Sequence, residues 1–241
     1  MVADEIIIRL SKISFAFPGH APLISDLDFS MRRGERLGWV APNGSGKTTL
    51  FQIVMGLLIP AAGRIEIFGQ RVRAEKDFVK VRQRIGMLFQ DADDQLFSPT
   101  VLEDVAFGPL NMGKGREEAL AISRATLGKL GLAGFEERVT FKLSGGEKRL
   151  VALATVLAME PEVLLLDEPT SGLDEKTKER LKEVLRGLNL SYILICHEFD
   201  FMADMVTAFQ TLQEGKLIAD INHQPHVHEH AHPMGRQPHK H

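Results

Sequence analysis

A glycine-rich loop near the start of the chain limits the folds that this sequence can adopt. The loop, residues 42–48, follows a predicted strand at Arg36–Val40 and leads into a predicted helix at residues 46–58. This strand–loop–helix order is the setting in which backbone N–H groups at a helix N-terminus bind phosphate. We therefore expect an α/β fold that carries a phosphate-binding loop.

Apolar strands alternate with helical patterns over residues 1–221, which indicates a mainly parallel sheet. Three early strands, at residues 6–10, 13–17 and 26–31, suggest an antiparallel subdomain on one side. The mostly helical stretch at residues 91–160 suggests an inserted helical subdomain. The remaining elements are predicted as strands at 64–68, 85–89, 162–167 and 192–196, helices at 117–130 and 175–187, and a hairpin over 206–221.

Composition disfavours several other classes of protein. The net charge of −3 argues against nucleic-acid binding, because such proteins usually carry a strongly basic face. The single cysteine, Cys196, fits a reducing compartment. The longest uncharged apolar run, residues 150–159, is far shorter than the roughly 20 residues that a span requires, and residues 1–10 do not resemble a signal peptide. We therefore expect a cytoplasmic protein.

The glycine-rich loop has the residue types that hold a nucleotide. Gly44 and Gly46 let the backbone curl around phosphate oxygens, since a Cβ atom would crowd them. Lys47 offers a positive charge to the β and γ phosphates, and Thr48 offers a hydroxyl to Mg²⁺. The residues predicted to bind ATP here are Asn43, Gly44, Ser45, Gly46, Lys47, Thr48 and Thr49.

Two later segments add acidic groups and a helix start. Asp167 and Glu168 follow four aliphatic residues, a run typical of a buried parallel strand, so they would lie at the edge where such sheets bind ligands. Ser144 precedes a predicted helix and has Glu147 three residues on, the pattern of a capping box. The N–H groups at that helix start would form a second anion site.

Four segments in one order resemble a known family. They are the phosphate loop, Gln90, the Leu-Ser-Gly-Gly-Glu segment at residues 143–147, and Asp167-Glu168. Together they resemble the ATP-binding subunits of ABC transporters over residues 6–221. The resemblance implies a P-loop NTPase with a RecA-like core. It also implies an ATPase that drives transport from the cytoplasmic face of the membrane, attached there through integral membrane subunits.

The resemblance gives roles to single residues. Asp167 would order Mg²⁺, Gln90 would touch Mg²⁺ and the attacking water, and Glu168 would polarise that water as the base. His197 would contact the γ-phosphate, although it is followed by Glu198, where the family commonly has aspartate.

Two further positions depart from the usual family pattern. Phe17 matches the aromatic residue that stacks on adenine, often a tyrosine, and a role in the core fits it nearly as well. Ala41 stands where the family usually has glycine. An alanine fits there without strain only if its φ is negative, which is what we expect.

Members of the family bind ATP between two subunits arranged head to tail. The resemblance implies that Ser144, Gly145 and Gly146 of one subunit cover the γ-phosphate held by the other. Residues 171–174 resemble the short loop that crosses this interface. One chain with every motif permits a homodimer, which is the arrangement we favour.

The cargo is suggested by two further segments. Residues 90–109 resemble the coupling region of cobalt and nickel importers and of energy-coupling factor vitamin importers. The tail, residues 222–241, is expected to be disordered and carries alternating histidines that suit Ni²⁺ or Co²⁺. These histidines are His226, His228, His230 and His232. An inert polar tail and an engineered tag are the alternatives to a native metal-binding segment.

Other functions stay open on the sequence alone. A vitamin importer would share every motif. An iron–sulfur assembly ATPase has a similar length, but the coupling region argues against it. A chromosome or repair ATPase would carry a long coiled coil, whereas only 52 residues separate Gln90 from Leu143. If the chain were a metal-storage protein, the residues suited to ATP hydrolysis would have no role.

Overall fold

The computed structural model describes residues 5–219, so the histidine tail lies outside the described part. The elements in chain order are β1 (Ile6–Phe15), β2 (Ile24–Arg32), β3 (Arg36–Val40), α1 (Lys47–Val54), β4 (Ala62–Ile67), β5 (Gln70–Val72), α2 (Glu75–Arg84), β6 (Ile85–Leu88), α3 (Val101–Asn111), α4 (Arg116–Lys129), α5 (Gly145–Leu157), β7 (Val163–Asp167), α6 (Glu175–Gly187), β8 (Ser191–Ile195), α7 (Phe199–Met205), β9 (Ala208–Gln213) and β10 (Lys216–Ala219).

A six-stranded sheet with the order β10-β9-β3-β8-β7-β6 forms the centre of the fold. Its strands run parallel except β10, which pairs antiparallel with β9 through a turn at Glu214 and Gly215. Every residue of β7 and β8 is buried, as expected for strands covered on both faces. The predicted α/β class with a mainly parallel sheet is therefore confirmed.

Side chains of the central sheet divide between two apolar clusters. Leu165 and Ile193 join a cluster that holds Trp39 and Phe51 under the antiparallel sheet, whereas Leu164 joins a cluster under the helices. This alternation follows from the period of two in a β-strand. The sheet is thereby held between α1 and the antiparallel strands on one face and helices that include α5, α6 and α7 on the other.

The second sheet is antiparallel, with the order β2-β1-β4-β5. The sequence predicted two early strands at residues 6–10 and 13–17, and this was wrong, because β1 continues through the predicted break. Lys12 adopts a φ of 54°, and the register with β2 shifts between Leu10 and Ile13. An irregularity of this kind absorbs extra residues while the strand continues.

Two helices were not predicted, and one ends early. α2 is mostly charged and buries only Phe78 and Val81, so its apolar pattern is weak; α7 has only seven residues. α1 ends at Val54 rather than Leu58, because Gly56 has a φ of 70°. A Cβ atom on Gly56 would meet the ring of Phe78 at 2.3 Å. None of the helices within residues 5–219 has the length and apolarity needed to cross a membrane.

Candidate active site

The glycine-rich loop joins the end of β3 to the start of α1. Gly44 has a φ of 75° and Gly46, the residue before the helix, a φ of 103°, so a side chain at either position would be strained. Ala41 is not among the described residues with positive φ, in agreement with the expected negative value. The loop therefore places its glycines where the backbone turns most sharply into the helix.

The predicted loop residues Asn43, Ser45 and Thr49 differ in how far their side chains are exposed to solvent. Asn43 is exposed at the tip of the turn, and Thr49 is buried in the first turn of α1. The Ser45 hydroxyl is buried without a hydrogen-bond partner within the described part of the chain. A buried hydroxyl without a partner costs about 1–3 kcal/mol of folding free energy. The Ser45 hydroxyl is therefore suited to bind a polar group of a ligand.

Lys47 lies folded back over the loop. Its Nζ atom donates to the carbonyl oxygens of Ala41 at 2.6 Å and Pro42 at 3.0 Å. Burial lowers the pKa of Lys47, and the nearby carboxylates of Asp167 and Glu168 oppose that effect. The positive charge is thus held at the mouth of the loop by carbonyl groups, beside the acidic pair at the end of β7.

Asp167 ends β7 and connects this strand to α1. Its Oδ2 atom accepts a hydrogen bond from the Thr48 hydroxyl at 2.5 Å. The carboxyl is almost completely buried, and burial raises its pKa above the ordinary value. A hydroxyl and a carboxylate held together in this way are the oxygen donors that Mg²⁺ prefers, so the pair fits such an ion.

Glu168 and His197 follow the ends of the neighbouring strands β7 and β8. The His197 backbone N–H donates to Glu168 Oε2 at 3.2 Å, and His197 Nε2 lies 3.3 Å from Glu168 Oε1. Burial raises the pKa of Glu168. Its φ of 51° is uncommon for a residue with a side chain, and such strain clusters at functional sites. The structure therefore brings these two predicted residues together.

Gln90 lies two residues beyond β6, and its backbone is fixed by a residue that the sequence analysis missed. The buried Arg149 of α5 donates from Nη1 to the carbonyl oxygen of Phe89 at 2.7 Å, and from Nη2 to that of Gln90. Gln95 adds a second connection, since it accepts from the Phe89 N–H at 3.2 Å and donates to Ala152 in α5. The Gln90 segment is thus tied to α5, the last helix of the helical region.

The helix start at Ser144 forms the predicted capping box. The Ser144 hydroxyl accepts from the Glu147 N–H at 3.3 Å, and Glu147 accepts from the Ser144 N–H at 2.8 Å. Gly145 begins α5, and a Cβ atom on Gly146 would lie 2.9 Å from the Gly172 carbonyl oxygen. The Leu-Ser-Gly-Gly-Glu segment and the predicted interface loop, residues 171–174, therefore pack directly against each other.

Phe17 lies on the surface rather than in the core. Its side chain is 42% exposed, and its ring meets Phe15 edge-on with centroids 4.9 Å apart. The alternative of a core role is therefore not what the structure shows. The predicted tail ligands His226, His228, His230 and His232 lie outside the described residues.

The geometry agrees with a comparison against known families. A family model described as "ABC transporter" matches residues 24–171, a span that includes the phosphate loop, Gln90, Ser144 and the Asp167–Glu168 pair. The chain belongs to the ABC transporter ATP-binding family. It is accordingly an ATPase, and the family's members couple ATP to transport.

Curated relatives extend this assignment over most of the chain. A putative ABC transporter ATP-binding protein of Nitratidesulfovibrio vulgaris is 48% identical over 236 residues, covering 98% of this chain and 86% of the relative. The energy-coupling factor transporter ATP-binding protein EcfA of Methanothermobacter thermautotrophicus is 42% identical over 217 residues, covering 88% of this chain and 70% of EcfA. The predicted resemblance to energy-coupling factor ATPases is therefore confirmed.

Solved structures of the ABC family show the same fold. The cbiO1 protein of Clostridium perfringens, part of the ABC transporter complex cbiONQ, has a TM-score of 0.78 at 33% identity, covering 89% of this chain and 88% of cbiO1. The MJ0796 cassette, solved as a dimer bound to ADP and Pi, has a TM-score of 0.80 at 25% identity, covering 88% of this chain and 96% of MJ0796. These neighbours favour a transporter subunit over the iron–sulfur, repair and storage alternatives.

Proposed function

We propose that two copies of this ABC ATPase close around ATP at the cytoplasmic face of the membrane and drive uptake of nickel or cobalt through integral membrane subunits. The observation that carries the hydrolytic part is the pairing of Glu168 with His197 beside the Thr48–Asp167 contact. The metal cargo is suggested by the tail histidines and by the resemblance of residues 90–109 to the coupling region of cobalt and nickel importers.

In this proposal the loop holds the phosphates of ATP. Lys47 exchanges its carbonyl partners for phosphate oxygens, and the unpaired Ser45 hydroxyl gains a partner. Thr48, Asp167 and Gln90 would hold Mg²⁺, and the ion would offset the negative charge that develops on the phosphates. Phe17 offers an exposed ring on which adenine can stack.

Glu168 is the base in this proposal. Its carboxylate accepts a proton from the attacking water, and its buried position raises its pKa toward the range in which a base works well at neutral pH. His197 holds Oε1 of Glu168 through Nε2 and orients the carboxylate. The largely exposed imidazole is then free to meet the γ-phosphate on its other side.

A second subunit completes the site in this proposal. The N–H groups of Gly145 and Gly146 at the start of α5 form an anion site that would face the γ-phosphate bound by the partner copy. Gly146 lies directly against Gly172, so the interface loop and the helix start present one continuous surface to the partner in this proposal. The dimeric solved form of MJ0796 supports this arrangement.

An aromatic pair in the coupling region supports binding to membrane subunits. Phe97 and Phe107 lie edge to face with centroids 4.7 Å apart, and their side chains are 66% and 49% exposed. Exposed large aromatic rings are enriched at protein interfaces. We infer that this pair contacts the membrane partner.

The test is transport by the complete complex. The chain is purified with its membrane subunits, placed in vesicles, and assayed for ATP-dependent uptake of labelled Ni²⁺ and Co²⁺, with Glu168→Gln as the inactive control. Uptake of either metal that the variant abolishes supports the proposal. Hydrolysis without metal uptake would shift the assignment to a vitamin importer, the second candidate. A complex that lacks residues 222–241 separates the tail's contribution from that of the ATPase.

A further inference from the structure

Glu198, the residue after His197, is bound by a lysine from another helix. Its Oε2 atom accepts from Lys178 Nζ at 2.6 Å, and Lys178 also donates to Glu175 Oε1 at 2.9 Å. The Lys178 side chain is only 13% exposed, so this ion pair is better shielded than a typical surface pair. The same contacts raise the pKa of Lys178, with Glu198 as the largest cause.

The contact fixes the segment that carries His197 from a second direction. Glu198 precedes α7, but its side chain makes no capping hydrogen bond to that helix and reaches α6 instead. On the other side, the His197 N–H is bound to the carboxylate of Glu168. His197 is therefore held on one side by Glu168 at the end of β7, and the residue after it, Glu198, is bound to Lys178 on α6.

The helix that provides Lys178 begins at the predicted interface loop. Asp174 ends that loop and caps α6 by accepting from the Thr177 N–H at 2.7 Å. Lys178 lies one turn farther along α6. A chain of bonded residues thus connects the interface loop, through Lys178 and Glu198, to the position of His197.

We propose that Lys178 is a positioning residue for hydrolysis, which holds His197 against Glu168 through Glu198. The inference rests on the proposed role of His197. It also accounts for the glutamate after His197, because the longer side chain lets the carboxylate reach Lys178. Losing Lys178 would remove the side-chain anchor of Glu198, while the Glu198 N–H keeps its bond to Cys196 Sγ at 3.3 Å and the Glu198 carbonyl keeps its bond from the Met202 N–H at 3.1 Å. We expect the loss to change the orientation of His197 without unfolding its segment.

The same helix offers a matched control. Lys182 is also 13% exposed on its side chain, and it also joins an acid three residues earlier to an acid beyond β8. Its partners are Glu179 at 2.8 Å and Asp204 at 2.9 Å. Asp204 lies near the end of α7, away from His197. Replacing Lys182 therefore removes a comparable ion pair away from His197, and Asp204 keeps a second contact with Arg186 at 3.6 Å.

The test compares Lys178→Met, Lys182→Met, Lys178→Arg and His197→Ala in the full chain assembled with its membrane subunits. Each variant is assayed for kcat and KM of ATP hydrolysis and for thermal unfolding. We expect Lys178→Met to lower kcat about 10-fold with little change in KM, since misplacing a catalytic group can cost up to roughly 10²-fold. Lys182→Met should show a similar loss of Tm with normal kcat, and Lys178→Arg should restore most of the rate.

The possible failures are distinguishable. Equal kcat values for Lys178→Met and Lys182→Met, with His197→Ala inactive, would overturn the role of Lys178 and leave that of His197 in place. A normal rate for His197→Ala would overturn the proposed role of His197 itself, and the inference with it.

Discussion

The Thr48 hydroxyl donates to Asp167 Oδ2 across 2.5 Å and so joins the first turn of α1 to the end of β7. Asp167→Asn keeps an oxygen that can accept this bond but removes the negative charge. We expect the Mg²⁺ concentration for half-maximal ATP hydrolysis to rise by about 10–100-fold, the usual cost of disturbing a group that supports a bound metal. The measurement is hydrolysis as a function of free Mg²⁺.

The matched control for this prediction is Asp200→Asn, which removes the same charge from an exposed position on α7. Its Mg²⁺ dependence should equal that of the unmodified protein. If Asp167→Asn also left the Mg²⁺ dependence unchanged, the Thr48–Asp167 pair would have no part in holding the ion.

Glu168→Gln tests the base directly. The amide keeps the size of the side chain and a hydrogen-bond acceptor for the His197 N–H, but it cannot accept a proton from water. We expect kcat to fall by about 10²–10⁴-fold, the typical contribution of a positioned general base, while ATP still binds. Hydrolysis at a near-normal rate would exclude Glu168 from this role. Nucleotide titration and single-turnover hydrolysis provide the two measurements.

The burial of Asp104 should make the stability of the fold decrease as pH rises. Its side chain is almost fully buried; Oδ1 accepts from the N–H groups of Phe97 and Ser98, and Oδ2 lacks a hydrogen-bond partner within residues 5–219. Burial raises the pKa of Asp104 above that of the unfolded chain, about 3.9. Its contribution to stability is therefore full below the unfolded pKa and is lost as pH rises through the folded pKa.

Asp104→Asn removes this titration and keeps an oxygen for the two N–H groups. We expect the variant to gain stability relative to the unmodified protein as pH rises from about 4 to 7, measured by urea unfolding at each pH. Asp77→Asn is the control of opposite sign, because hydrogen bonds from the backbone of Ala74 and Arg73 lower the pKa of Asp77. A difference for Asp104→Asn that did not change with pH would contradict the prediction.

Much of the site could be predicted because short-range rules determine it. The glycines before Lys47 are required by the sharp turn into α1, and the capping box at Ser144 depends on a spacing of three residues. Asp167 and Glu168 follow a buried run whose strand character is evident from four consecutive aliphatic residues. In each case the residues that set the structure are neighbours in the sequence.

Other features depend on contacts between distant segments, which one sequence does not reveal. Arg149 looks like a solvent-exposed residue of an amphipathic helix, yet it is buried on carbonyl groups about 60 residues earlier in the chain. The ion pair between Lys178 and Glu198 joins α6 to the segment after β8. These two segments come together only because of the order of the strands in the sheet, which one sequence does not reveal. The continuation of β1 past Lys12 is set by pairing with β2 and β4 rather than by local preference.

Arg149→Met provides the last test, because it separates the helical region from the Gln90 segment. The methionine fills similar space but leaves the carbonyl oxygens of Phe89 and Gln90 without their charged donor. We expect the free energy of unfolding to fall by about 2–3 kcal/mol, in the range for hydrogen bonds to charged groups, and ATP hydrolysis to fall with it. Arg124→Met, at an exposed position of α4, should stay within about 0.5 kcal/mol of the unmodified protein. Equal stabilities of the two variants in urea unfolding would show that the buried guanidinium contributes no more than an exposed one.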